Sequence, residues 1–264
     1  MMESLLFLAI SFAASTVGAI CGIGGGVVIK PTLDLFRLTS VPAASFLSSC
    51  TVLAMSSYSV GRSVLSRSAR VLEFSTTTPL AFGSAAGGIF GQFLFRYVRN
   101  SFSSVDRVGA VQSAALAVIT FGTLLYVLMK GRVKTHRVSN PLFCILIGLM
   151  LGGMSSFLGI GGGPINLVVM YYFFSMEPKT ATLNSLYVIF ISQIASLSTV
   201  VITNTIPEFS PTALGLMIAG GLLGGIVGRG IYERISARAV ERLFATLIVI
   251  IIFISIYNVV QYLR

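Results

Sequence analysis

The chain has 264 residues, 55% of them hydrophobic and only 10% charged, with a formal net charge of +10. That is too apolar for a water-soluble domain of this length, and the basic excess is no nucleic-acid signature, because Lys and Arg fall almost wholly in short connections between apolar runs. Runs of about 20 mostly apolar residues mark a polytopic membrane protein whose basic connections lie in the cytoplasm.

In chain order, Ser4–Ile20 comes first. It could imitate a signal peptide, but it lacks a basic leading segment and continues into Gly22-Ile23-Gly24-Gly25-Gly26, so it reads as part of the mature fold. Four glycines in five positions interrupt a helix, because glycine loses the most backbone entropy on ordering. Pro31 is a candidate start for the next helix, which would leave residues 27–30 extended. Three spans are expected near 42–61, 75–98 and 105–129, followed by a basic linker with Lys130, Arg132, Lys134, His136 and Arg137.

The glycine pentapeptide then returns at Gly159–Gly163, with Pro164 suited to the first position of a new helix. Spans near 179–203, 210–232 and 238–262 complete the chain; Phe244–Val260 is its most continuous apolar run. The second half therefore repeats the first. The two glycine motifs lie 137 positions apart; Pro42 with Leu47-Ser48-Ser49 aligns with Pro178 with Leu183-Asn184-Ser185 at 136; and Ala86-Gly87-Gly88 aligns with Ala219-Gly220-Gly221 at 133, which sets Arg96 against Arg229. Residues 1–130 form one transmembrane repeat, 131–138 a cytoplasmic linker and 139–264 the second repeat.

Loop charge orients the halves. The connection with Arg62, Arg67, Arg70 and Glu73 is basic, whereas its counterpart around 204–210 carries Glu208 and no Lys or Arg, so equivalent loops lie on opposite sides. The linker and the connection with Arg229, Arg234, Arg238 and Arg242 read as cytoplasmic; Arg96, Arg99 and Arg107 against Asp106 form the one loop that disagrees. An inverted half must cross the membrane an odd number of times. Three plain spans then require the glycine-broken segment to enter and return as a hairpin. The expected fold is an all-α membrane protein, an inverted repeat of two halves, each a re-entrant or broken hairpin plus three transmembrane helices.

After each glycine bend a helix starts, and the first four amide N–H groups of a helix have no internal partner. Two such starts aimed at one midplane cavity would present free donors and two positive dipole ends, an anion site needing no buried cation. Broken helices in inverted repeats are the architecture of secondary transporters.

The stretch Gly22-Ile23-Gly24-Gly25-Gly26-Val27-Val28-Ile29-Lys30-Pro31-Thr32-Leu33 and its second copy, Gly159-Ile160-Gly161-Gly162-Gly163-Pro164-Ile165-Asn166-Leu167, resemble the signature of the TauE/SafE family, the sulfite exporter or toluene-sulfonate uptake permease group. The likeness spans essentially the whole chain. Lys30 stands where the pattern has an apolar residue; Pro164 and Asn166 likewise replace apolar positions, and the later proline of the second copy is missing. The resemblance implies transport of a small sulfur-containing anion, such as sulfite, thiosulfate, sulfoacetate or another organosulfonate, across the cell membrane.

The candidate substrate-binding residues are the bend glycines Gly24, Gly25, Gly26, Gly161, Gly162 and Gly163, with Lys30, Ser48, Ser49, Asn166, Asn184 and Ser185. Lys30 is a point charge near the first bend that could instead snorkel or pair with Asp34. Asn166 could donate to an anion or cap its helix. Ser48, Ser49 and Thr51, with Asn184, Ser185 and Tyr187, could line a cavity or bond neighbouring helices. Gln193 reads as interhelical glue, and Arg96 and Arg229 as interface anchors. Cys21, Cys50 and Cys144 show no metal spacing and read as packing residues, with a functional thiol at Cys21 the alternative. The glycine bends lack the Lys-Ser/Thr ending of a nucleotide loop, and no metal, cofactor or nucleic-acid partner is expected. The expected partners are a small anion and the lipid bilayer. A coupling proton or sodium ion and a homodimer stay open, as do an anion channel and a sulfur-handling membrane enzyme as rival functions.

Overall fold

The computed structural model describes residues 2–65, 72–101, 105–160 and 162–263. Ten α-helices follow in two sets of five: α1 (Met2–Cys21), α2 (Gly26–Leu35), α3 (Val41–Leu65), α4 (Phe74–Ser101) and α5 (Val105–Met129), then α6 (Pro141–Leu158), α7 (Pro164–Phe174), α8 (Pro178–Ile202), α9 (Pro211–Arg234) and α10 (Ala237–Leu263). Among the described residues there is no strand. The starts of α6 to α9 follow from local chemistry. Each has proline at its beginning, where the missing N–H costs nothing, and the Asn140 side chain caps α6 by accepting from the Leu142 amide at 2.9 Å.

Among the described residues, seven helices, α1, α3, α5, α6, α8, α9 and α10, are long and apolar enough to cross a membrane. The first arms of the two glycine hairpins thus have full spanning length: α1, with 20 residues, rises about 30 Å, whereas its return arm α2, with 10, rises about 15 Å. The start of α2 differs from the sequence expectation. It begins at Gly26 and carries Pro31 inside it, so residues 27–30 are helical rather than extended.

The outer surface is apolar, with Phe82, Phe90, Val118, Leu128, Met150 and Phe253 all exposed. The interior is rich in small polar groups, and many hydroxyls return their proton to the preceding turn: Ser11 to the Phe7 carbonyl at 2.7 Å, Thr51 to that of Leu47 at 2.8 Å, Thr120 to that of Leu116 at 2.6 Å. Such residues satisfy themselves locally and leave the helix surface narrow enough for close packing.

The closest helix approaches run between the halves. Along α4 and α6, Gly83, Gly87 and Gly91 face the backbone of Ile145, Leu149 and Gly153, so tightly that any added Cβ would collide with a carbonyl oxygen. Along α9 and α1, Gly220, Gly224 and Gly228 face Leu8, Phe12 and Thr16 in the same way. These two seams match residue for residue at the spacing that separates the glycine motifs. So do the contacts of α4 and α9 with α8 and α3: Gly88 packs on Ser192, and Gly225 on Met55. One spacing therefore relates all these contacts, and it corrects the sequence alignment by one helical turn in α4. The structural counterpart of Arg96 is Glu233, and that of Arg229 is Gln92. By the same spacing Ser48, not Ser49, corresponds to Ser185.

Candidate functional site

The two glycine bends touch. A Cβ placed on Gly26 would strike the carbonyl oxygen of Ile160, and one placed on Gly162 would lie 3.4 Å from that of Ile23. Gly24 and Gly25 hold φ of 83° and 68°, a left-handed backbone that an L side chain strains to adopt, and Gly159 ends α6 at φ 66°. Each bend is seated on the opposite half: Gly22 against Thr182 of α8, Gly159 against Ser45 of α3. Thr182 and Ser45 are again related by the common spacing. Among the described residues, the N–H groups of Gly24, Gly25, Gly162 and Gly163 donate to no backbone acceptor. Gly161 lies outside the described residues, as do Arg67 and Arg70.

The polar candidates divide into three groups. Lys30 and Asp34 form a buried ion pair at 2.9 Å, with side chains 4% and 2% exposed. The Lys30 Cε also sits 3.3 Å from where a Gly159 Cβ would be, so this pair reaches the second bend. Ser185 and Asn184 hold helices together: the Ser185 hydroxyl donates to the Gly22 carbonyl at 2.6 Å, while the Asn184 side-chain oxygen accepts from the Glu73 amide at 3.0 Å and the Thr77 hydroxyl at 2.7 Å. Asn184 thereby fixes the start of α4. Ser48 and Asn166 are buried, and neither the Ser48 hydroxyl nor the Asn166 side-chain oxygen has a partner among the described residues. Asn166 makes no cap; Gly163 occupies that position of α7.

A cavity of about 380 Å³ lies beside the second bend, reaching from Gly159 to the Thr205–Pro207 connection. Ser45 and Ser49 of α3, Gln92 and Arg96 of α4, Gln112 of α5, Ser156 of α6, and Gln193 and Ser196 of α8 contribute its polar wall. Among the described residues, no carboxylate lines it. Of the twelve residues singled out in the sequence, Ser49 is in this wall. Two that sequence reasoning set aside, Arg96 and Gln193, are in it as well. Arg96 lies with its guanidinium over the Phe93 ring at 5.0 Å and its Nη2 buried without a hydrogen-bond partner among the described residues. The Gln92 amide donates to the Ser196 carbonyl at 2.8 Å and that of Gln112 to the Phe157 carbonyl at 2.6 Å, ties that fix both side chains at the wall. The signal available in the sequence was the rarity of Gln and Arg in apolar helices.

A long helical chain with paired glycine hairpins and a cation-lined cavity agrees with a family model described as the sulfite exporter TauE/SafE, which matches residues 7–254. The chain belongs to the TauE/SafE family. It is 23% identical over 267 residues to the probable membrane transporter protein YunE of Bacillus subtilis (strain 168), covering 95% of this chain and 96% of that protein. No solved structure matches it. This TauE/SafE protein is a multi-pass membrane protein of a transporter family.

Proposed function

We propose that the protein carries a small sulfur-containing anion, such as sulfite, thiosulfate or an organosulfonate, through the cell membrane by alternating access around the paired glycine bends, with its two halves oppositely directed. The observation that carries this reading is the cavity beside Gly159, whose one charged lining residue among the described residues is Arg96, the other described polar groups being neutral. A guanidinium presents planar, paired donors that suit the oxygens of an oxyanion, and in apolar surroundings its charge is weakly screened. The matching contacts of the two halves support alternation, because a bundle built from equivalent halves has a second arrangement in which their roles exchange.

The test is flux in proteoliposomes loaded with buffer of set pH and sodium content, using sulfite, thiosulfate and sulfoacetate with acetate and succinate as controls. Saturable uptake of a sulfur anion that responds to an imposed gradient is expected. Uptake of carboxylates alone would overturn the substrate class; non-saturating flux indifferent to gradients would identify a channel; conversion of the anion in detergent would identify an enzyme.

A further inference from the structure

We infer that Arg229 is the anion-binding residue of a second cavity, on the opposite side of the glycine bends, which is shut in this conformation. The inference rests on the transporter reading above and on the spacing that relates the halves. That spacing carries the cavity residues Ser45, Gln92, Phe95, Arg96, Gly159 and Ser196 onto Thr182, Arg229, Tyr232, Glu233, Gly22 and Ser59. In the first set these groups wall an open volume. In the second, Gly22 lies directly against Thr182 and Arg229 is buried.

Two ties between helices hold that side closed, one through Glu233 and one through Tyr232. Glu233 accepts from Arg229 Nε at 3.0 Å and faces Arg62 Nε of α3 at 3.5 Å. The Tyr232 hydroxyl donates to the Lys179 carbonyl at 2.9 Å, which ties the end of α9 to the start of α8, and Lys179 Nζ lies 5.2 Å from the Tyr232 ring centre. Nothing equivalent to the Glu233 bridge can form on the Arg96 side. There the positions of Arg229 and Glu233 are held by Gln92 and Arg96, and that of Arg62 by Thr199.

Arg229 itself is 1% exposed, and among the described residues both of its terminal nitrogens, Nη1 and Nη2, lack hydrogen-bond partners. Glu233 engages Nε alone and the Tyr232 ring centre lies 5.0 Å from the guanidinium carbon, so neither contact uses the hydrogen-bonding capacity of the two terminal nitrogens, whose burial unmatched carries a cost. Two adjacent free nitrogens in one plane fit two oxygens of a sulfite, thiosulfate or sulfonate group. Each side of the bends thus owns one arginine, set one helical turn apart, and an anion leaving Arg96 meets Arg229 once the Glu233 bridge and the Lys179–Tyr232 contact part.

The test compares the wild type with Arg229→Lys and with the double variant Arg229→Met, Glu233→Gln, which removes the buried charge together with its partner. Sulfite and thiosulfate binding in detergent by calorimetry, and their flux in proteoliposomes, are measured for each. The double variant is expected to bind within about threefold of the wild type, through the open Arg96 side, and to transport about tenfold more slowly. Arg229→Lys, which keeps the charge but loses the paired geometry, is expected to raise KM about fivefold. Wild-type flux in the double variant overturns the inference. If that variant does not fold, an unchanged KM in Arg229→Lys overturns it. Should the wild type neither bind nor move either anion, the transporter reading and this inference fall together; binding and flux in the wild type with no change in the variants sinks this inference alone.

Discussion

Lys30 and Arg96 are both cations within apolar helices, and they answer to different partners. Lys30 is neutralised by Asp34 with both side chains nearly inaccessible, so removing one member strands the other. Asp34→Ala is expected to destabilise the folded protein by about 3–5 kcal/mol, whereas the paired change Lys30→Met, Asp34→Leu is expected to restore most of that loss. Unfolding of the purified variants in detergent, followed by far-UV dichroism, separates the two. Among the described residues, Arg96 has no carboxylate beside it in the cavity wall. Arg96→Gln should accordingly leave stability within about 1 kcal/mol of the wild type while lowering anion flux by about tenfold, because an arginine at the surface of a cavity contributes little to packing. An equal loss of stability and flux would make Arg96 a structural group instead.

At the scale of single helices, the ties that seat the bends decide what can move. Asn184 holds the first turn of α4 through two hydrogen bonds, and Ser185 holds the first bend through one. Asn184→Ala is expected to cost about 1–3 kcal/mol by leaving buried donors unmatched, with anion affinity unchanged; a thermal melt with and without thiosulfate checks both halves of that statement. The proline-led start of α7 at Pro164 was legible in the sequence because proline's fixed φ and missing N–H act locally. The glycine bends were legible for the same local reason. The register of α4 against α9 was not. Glycines recur there every four residues, so sliding one helix past its counterpart by a turn preserves the pattern, and sequence identity alone selects the wrong turn. Only the facing carbonyls of α6 and α1 distinguish the two settings. The cavity wall was illegible for a different reason: it draws Ser45, Arg96, Gln112, Gln193 and Ser196 from four helices whose meeting depends on that register. Pro31 misled because a proline in the first turns of a short helix loses few internal hydrogen bonds, and α2 accommodates it beyond its start.

In the molecule as a whole, the tightest seams pair α1 with α9 and α4 with α6, so each half completes the other. Residues 1–138 and 139–264 produced as separate chains in one membrane are therefore expected to assemble into a complex that copurifies, while either alone is expected to be degraded; a stable isolated half would show that the seams are dispensable. The same pairing sets an order on biogenesis. The face of α1 that carries Leu8, Phe12 and Thr16 enters the lipid first, yet the glycine furrow of α9 that receives it begins near Gly220 and leaves the ribosome only when most of the polypeptide has been made. Until then the nascent protein carries an unpaired face along α1, and a premature stop anywhere before α9 would deliver to the quality-control machinery a fragment marked by that uncovered face.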